Sequence, residues 1–167
     1  MSRKVIVGVF DDYTIAGEVI EALKVSGFDP HGISILGHDC DELRAVAAHV
    51  QSKGPDKLML AGGLIGAVGG LMVGFANISV PGTGSLLVAG PMLAALSGAA
   101  AGGMLGVITG ALVHFDVPEY DAKVYEAHLT EGKVLIAVHT ETSEQWYRAE
   151  GIMDRFEATE IDTKVTV

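Results

Sequence analysis

The sequence predicts an α+β protein built from two βαβ halves, with a long apolar helical hairpin inserted between them. Two observations predict the halves. The strand-like run KVIVGVF, Lys4 to Phe10, recurs as KVLIAVH, Lys133 to His139, so that Lys4 aligns with Lys133, Val5 with Val134 and Val9 with Val138. Each run is followed by a helix start signal and then by a second β-branched segment. A third observation predicts the insert. Between Lys57 and His114 there is no Asp, Glu, Lys, Arg or His, and two glycine ladders of strict spacing four run through that stretch. They are Gly62, Gly66, Gly70, Gly74 and Gly98, Gly102, Gly106, Gly110.

In the first half, the β-branched Lys4–Phe10 segment has strand length. Asp11 and Asp12 can cap a helix whose apolar positions are Ile15, Val19, Ile20, Leu23 and Val25, and Gly27 ends it. Ile33 to Leu36 is the second strand, after Pro30. Asp41 to Ser52 reads as a short amphipathic helix with Leu43, Val46, Ala47 and Val50 on one face, broken by Lys53-Gly54-Pro55-Asp56.

In the second half, Asp116 to Glu119 suggests a capping box with Pro118 in the first turn. The helix that follows carries Val124, Ala127 and Leu129 and stops before Gly132. Thr142 to Gln145 is another capping box, opening a helix to about Phe156, and Thr159 to Val167 alternates as a closing strand. Two βαβ units of similar length imply a four-stranded antiparallel sheet with two helices on one face, the ferredoxin-like arrangement. The resulting division is residues 1–56 and 116–167 for the two halves of the sheet domain, and 57–115 for the insert.

The insert is divided by the turn residues Pro81-Gly82-Thr83-Gly84. Its arms, Leu58 to Val80 and Pro91 to Val113, would each span about 34 Å as a helix, enough for a hydrocarbon core of about 30 Å. On a helix, glycines spaced by four form one smooth stripe that lets two backbones approach closely. The ladders are therefore assigned to helix packing and homo-oligomerisation, and residues 81–84 to the hairpin turn. The predicted partners are other copies of the chain and a lipid bilayer or bound lipid. The predicted location is the bacterial inner membrane with the α/β domain in the cytoplasm. The alternative is a cytoplasmic assembly, a soluble scaffold or shell that buries its hairpins in an apolar, lipid-holding core. A regulatory or small-ligand module, with its pocket between the two halves, is the third reading.

Composition narrows the chemistry. The net charge is -10 over 167 residues, which disfavours nucleic acid and electrostatic docking on anionic lipid. The single cysteine, Cys40, cannot form an internal disulfide and fits a reducing compartment. The short basic start followed by Asp11 and Asp12 reads as a strand and not as a signal peptide.

No catalytic residue, cofactor or metal site is assigned. His38-Asp39-Cys40-Asp41 is metal-capable by residue type, but four consecutive residues converge poorly on one ion. Cys40 and His38 point apart, and Ser85 and Ser97 have no nearby base. The glycines lack the Gly-Lys-Ser/Thr of a phosphate loop. His49 and His128 lie on amphipathic helices, and Trp146 and Tyr147 read as core and interface. A small-ligand site could form where His139 and Glu141 meet Phe10 and Asp11 across the sheet.

The order of segments resembles a bacterial family of general stress or low-temperature-induced proteins. The resemblance is carried by VIVGVFDDYTIAGEVIEAL, ISILGHD, the two ladders around VPGTGSLLVAGPMLAAL, and VPEYDAKVYEAHLTEGKVLIAVH. It implies a stress- or envelope-associated protein with a flanking α/β domain and a glycine-zipper insert, and it supplies no catalytic residues.

Overall fold

The computed structural model describes residues 4–51, 75–80, 84–96 and 106–161. In chain order these form β1 (Lys4–Phe10), α1 (Tyr13–Val25), a 3-10 turn (Pro30–Gly32), β2 (Ile33–His38) and α2 (Asp41–Gln51). There follow β3 (Phe75–Val80), β4 (Gly84–Ala89), a helical segment at residues 92–96, α3 (Val107–His114), α4 (Glu119–Thr130), β5 (Val134–Thr140), α5 (Ser143–Arg155) and β6 (Glu160–Ile161). The strands make one sheet in the order β3-β4-β2-β5-β1-β6, and every neighbouring pair is antiparallel.

The recurring segments lie side by side. β1 pairs with β5 from Lys4↔Thr140 to Phe10↔Val134, with Val7↔Ala137 at the centre. β2 flanks β5, and β6 flanks β1. The caps expected for α1 and α5 form. The Asp12 carboxylate accepts from the Thr14 amide at 2.6 Å, and the Thr142 hydroxyl oxygen accepts from the Gln145 amide at 3.2 Å.

The cap expected at Asp116 does not form. α4 has Pro118 at its N-cap with no side-chain hydrogen bond, because Asp116 is used to end α3. There it adopts φ 64° while its amide donates to Val113 O and that of Val117 to Leu112 O. This is a Schellman termination. α1 and α4 end in the same pair of bonds with Gly27 and Gly132 at the left-handed position, and α5 does so with Glu157 at φ 54°.

The insert departs most from expectation. Residues 75–80, expected as the end of the first helical arm, form a strand paired with residues 84–89, between the expected arms, from Phe75↔Ala89 to Val80↔Gly84. The FANISV and GSLLVA segments are β-rich and contain no helix-compatible period, and they form an antiparallel strand pair added to the sheet beside β2. The arm from Pro91 to Val113 is also divided, since Gly106 has extended geometry (φ -52°, ψ 148°) at the N-cap of α3. No helix among the described residues is long and apolar enough to cross a membrane.

These segments cover the second face of the sheet. On one face Ile6, Phe10, Ile33, Ile35, Val134, Ile136 and Val138 meet α1, α2 and α5 through Val19, Ile20, Leu23, Leu43, Trp146 and Met153. On the other, Val7, Val9, Leu36, Leu86, Val88, Leu135 and Ala137 meet Met92, Leu96, Ile108, Leu112, Ala122, Tyr125 and Leu129. The molecule is thus a three-layer sandwich, and not a sheet with helices on one face only.

Two predictions follow the packing. Leu96→Ala and Leu112→Ala should each destabilise the fold by about 2–5 kcal/mol, the range for emptying a buried leucine site, measured by urea denaturation. Glu157→Gly should stabilise it by about 1 kcal/mol by removing left-handed strain from a residue with a Cβ. Asp116→Gly should gain less, since Asp tolerates that conformation better; thermal melting reads both.

Candidate functional site

The structure places chemistry-bearing residues where the inserted chain is fastened to the sheet. The first fastening is at the exit from β4. Gly90 has φ 84°, and a Cβ there would stand 2.2 Å from the Ile33 carbonyl oxygen. Only glycine lets the chain turn this closely over β2. Immediately beyond, the buried Ser34 hydroxyl oxygen accepts from the Met92 amide at 3.0 Å and so caps the helical segment at residues 92–96.

The second fastening joins α3 to α4. Glu126 projects from α4 to the start of α3, where its carboxylate accepts from the buried Thr109 hydroxyl. Its oxygens lie 3.1 and 3.2 Å from where a Cβ on Gly106 would be. The ladder position Gly106 therefore makes room for a carboxylate at a helix N-terminus, a favourable place for negative charge. Gly110, one turn on, donates its amide to Gly106 O at 2.7 Å. α4 is tied in turn to β2, where His38 Nε2 lies 2.7 Å from Leu129 O. A carbonyl only accepts, so Nε2 carries the proton.

The third fastening uses the metal-capable cluster. Asp39 takes a two-point contact from Arg44, at 2.7 Å to each oxygen, and a hydrogen bond from the Asn77 amide. Asn77 Oδ1 accepts from Ser85 Oγ at 2.6 Å, and the Asp39 amide donates to Ser85 O at 3.1 Å. Cys40 Sγ accepts from the Leu43 amide at 3.4 Å, at the start of α2. The four residues are thus divided among separate structural contacts, and no group of three or more His, Cys, Asp or Glu converges on a point among the described residues. Arg44, followed by Asn77, holds the Asp39 carboxyl below the usual carboxylate range.

The site expected between His139, Glu141, Phe10 and Asp11 does not form. Antiparallel pairing puts His139 opposite Val5 and brings Asp11 to Lys133 instead, at 3.1 Å. Lys133, then Thr159, lowers the Asp11 carboxyl. His139 packs edge-on against Phe115, with ring centres 4.7 Å apart.

Of the residues assigned to assembly, Gly62, Gly66, Gly70, Gly74, Gly98 and Gly102 lie outside the described residues, as do Pro81, Gly82 and Thr83. Gly84 opens β4 with φ 86°. Ser97 also lies outside the described residues, and His49 is in α2, as expected. Trp146 is buried, and Tyr147 stands exposed with its ring edge-on to it. The Asp39–Arg44–Asn77–Ser85 and Thr109–Glu126 contacts were not expected. Their only sequence signal is polarity out of place: Asn77, Ser79, Ser85 and Thr109 inside an otherwise apolar run.

A two-faced α+β sheet protein with a hairpin clamped onto one edge is the class this geometry defines. Residues 5–86, just under half of the chain, match the model of the heat induced stress protein YflT domain. The matched residues run from β1 into β4 and include the first glycine ladder. No curated protein and no solved structure matches the chain.

Three measurements test these contacts. Gly90→Ala should cost about 3 kcal/mol or prevent folding, because it adds left-handed strain to a backbone clash. Thr109→Val and Glu126→Gln should show a coupling of about 1 kcal/mol in a double-mutant cycle. For Asp39 the folded value lies below the unfolded one, about 3.9. Its contribution is therefore complete above the unfolded value and is lost as pH falls through the folded one. The stability gap between wild type and Asp39→Asn should be constant from pH 5 to 7 and shrink below pH 4.

Proposed function

We propose that this stress-associated protein is non-catalytic and acts by self-assembly through its glycine-rich segments, with the sheet domain as their carrier. The observation that carries this reading is how the ladders are anchored. Phe75 opens β3 directly after Gly74, Leu96 is in the core just before Gly98, and α3 begins directly after Gly106. The uncharged residues 58–74 and 97–105 are thus held at both ends by one folded body. A stripe of glycines spaced by four suits close helix pairing between copies, and the ferredoxin-like core of β1, α1, β2, β5, α5 and β6 provides the rigid base.

This reading favours assembly over a bilayer-crossing hairpin. The described residues on either side of 52–74 share one sheet, so residues 52–74 leave from and return to the same side of any membrane. Two helical crossings need about 40 residues, and that connection has 23. Contact with lipid, on this view, comes from one side, through apolar residues of the ladder segments. On this view residues 75–80, 84–96 and 106–115, although inside the 57–115 insert, belong to the carrier, and residues 58–74 and 97–105 are the assembling segments.

Sedimentation velocity of the purified chain tests the proposal. Gly66→Leu and Gly102→Leu should reduce the assembly size, whereas Leu64→Ala should leave it unchanged. An alkaline wash of membranes from expressing cells should release the protein. Retention until detergent is added would return the spanning hairpin to first place.

A further inference from the structure

The two edges of the sheet are unlike. β6 pairs with β1 over Glu160–Ile161, and the chain continues as Asp162-Thr163-Lys164. β3 presents six residues, FANISV, without charge, proline or glycine. Its ladder with β4 runs through all six positions without a bulge. Natural edge strands are usually blunted by lysine, proline, a bulge or brevity, and β3 has none of these.

It is also well supported from within. The Asn77 amide is fixed by Asp39 and Ser85, which ties the strand to β4 and to the start of α2. In an antiparallel strand, alternate residues direct both main-chain groups away from the existing neighbour. Among the described elements β3 has no partner other than β4.

We propose that β3 pairs with β3 of a second copy of this chain, joining two six-stranded sheets antiparallel across a two-fold axis. Charge argues for a second copy. The chain carries -10, so two copies repel over most of their surface, whereas this edge strand has no charge of its own and the carboxylate that touches it, Asp39, is neutralised by Arg44. An identical strand is complementary to itself only in the antiparallel sense, and that contact closes at two. The opposite edge carries Glu160 in β6, with Asp162 and Lys164 following in sequence, charges that oppose the same kind of pairing there.

Directly opposed residues share a face, so the axis passes through a residue and not between two. An axis through Ile78 sets Ile78 against Ile78 and the exposed Asn77 against the exposed Ser79, an amide against a hydroxyl. The inference extends the self-assembly reading to a second surface, and it can fail independently of the glycine ladders.

The test is sedimentation equilibrium of the full chain, alone and with Gly66→Leu plus Gly102→Leu, each with and without Ser79→Lys. The glycine variants should stop at a dimer, and Ser79→Lys should raise its dissociation constant at least tenfold, with unchanged circular dichroism. Ser79→Thr should keep the dimer. In a Cys40→Ser background, Ile78→Cys should form a symmetric disulfide-linked dimer on mild oxidation. A glycine variant that is already monomeric, or a dimer indifferent to Ser79→Lys, would overturn the edge pairing. Glycine variants that retain wild-type size while Ser79→Lys dissociates them would uphold the edge and remove the ladder reading.

Discussion

Covering both faces of the central sheet is the constraint on which the other features depend. β1, β2 and β5 carry apolar side chains at successive positions, so neither face can be left to water. α1, α2 and α5 cover one face in the ordinary order of a βαβ pair. The other face is covered by segments that the sequence places inside the insert, and their route depends on one tight passage, Gly90 over the Ile33 carbonyl. The Ser34–Met92 and Thr109–Glu126 contacts matter because they satisfy polar groups buried along that route.

The polar and charged residues that first suggest chemistry hold the layers in place instead. Asp39 is the clearest case. Its two-point contact with Arg44 and its bond from Asn77 connect the end of β2, the start of α2 and the added hairpin. An aspartate used in this way has both oxygens engaged and a depressed affinity for protons. Asp11 links the end of β1 to Lys133 before β5 and to Thr159 before β6 in a similar manner. His38 joins β2 to α4.

Much of the carrier was legible in the sequence. The recurrence of KVIVGVF as KVLIAVH marks the two strands that pair at the centre, and the caps at Asp12 and Thr142 mark the helices after them. The second helical layer was not read, although a signal for it was present. A sheet open to water on one side alternates apolar and polar residues, and KVIVGVF, VLIAV and SLLVA do not alternate. The ladder period extends a helical reading over residues 75–80, though the β-branched Ile78 and Val80 favour a strand. The register of β1 against β5, which sets His139 opposite Val5 and away from Asp11, has no local signature because it depends on the path of the whole chain.

The strand order has a consequence for how the chain is completed. β5 lies between β1 and β2, and it comes from residues 134–140, after both ladder segments. Until it is made, β1 has no neighbour in the sheet and β2 has only the hairpin. Residues 5–86, though they carry the family match, therefore do not constitute an independent folding unit. On the ribosome the apolar, glycine-rich segments emerge well before the strand that closes the core. During that interval their apolar surface is exposed to association out of place.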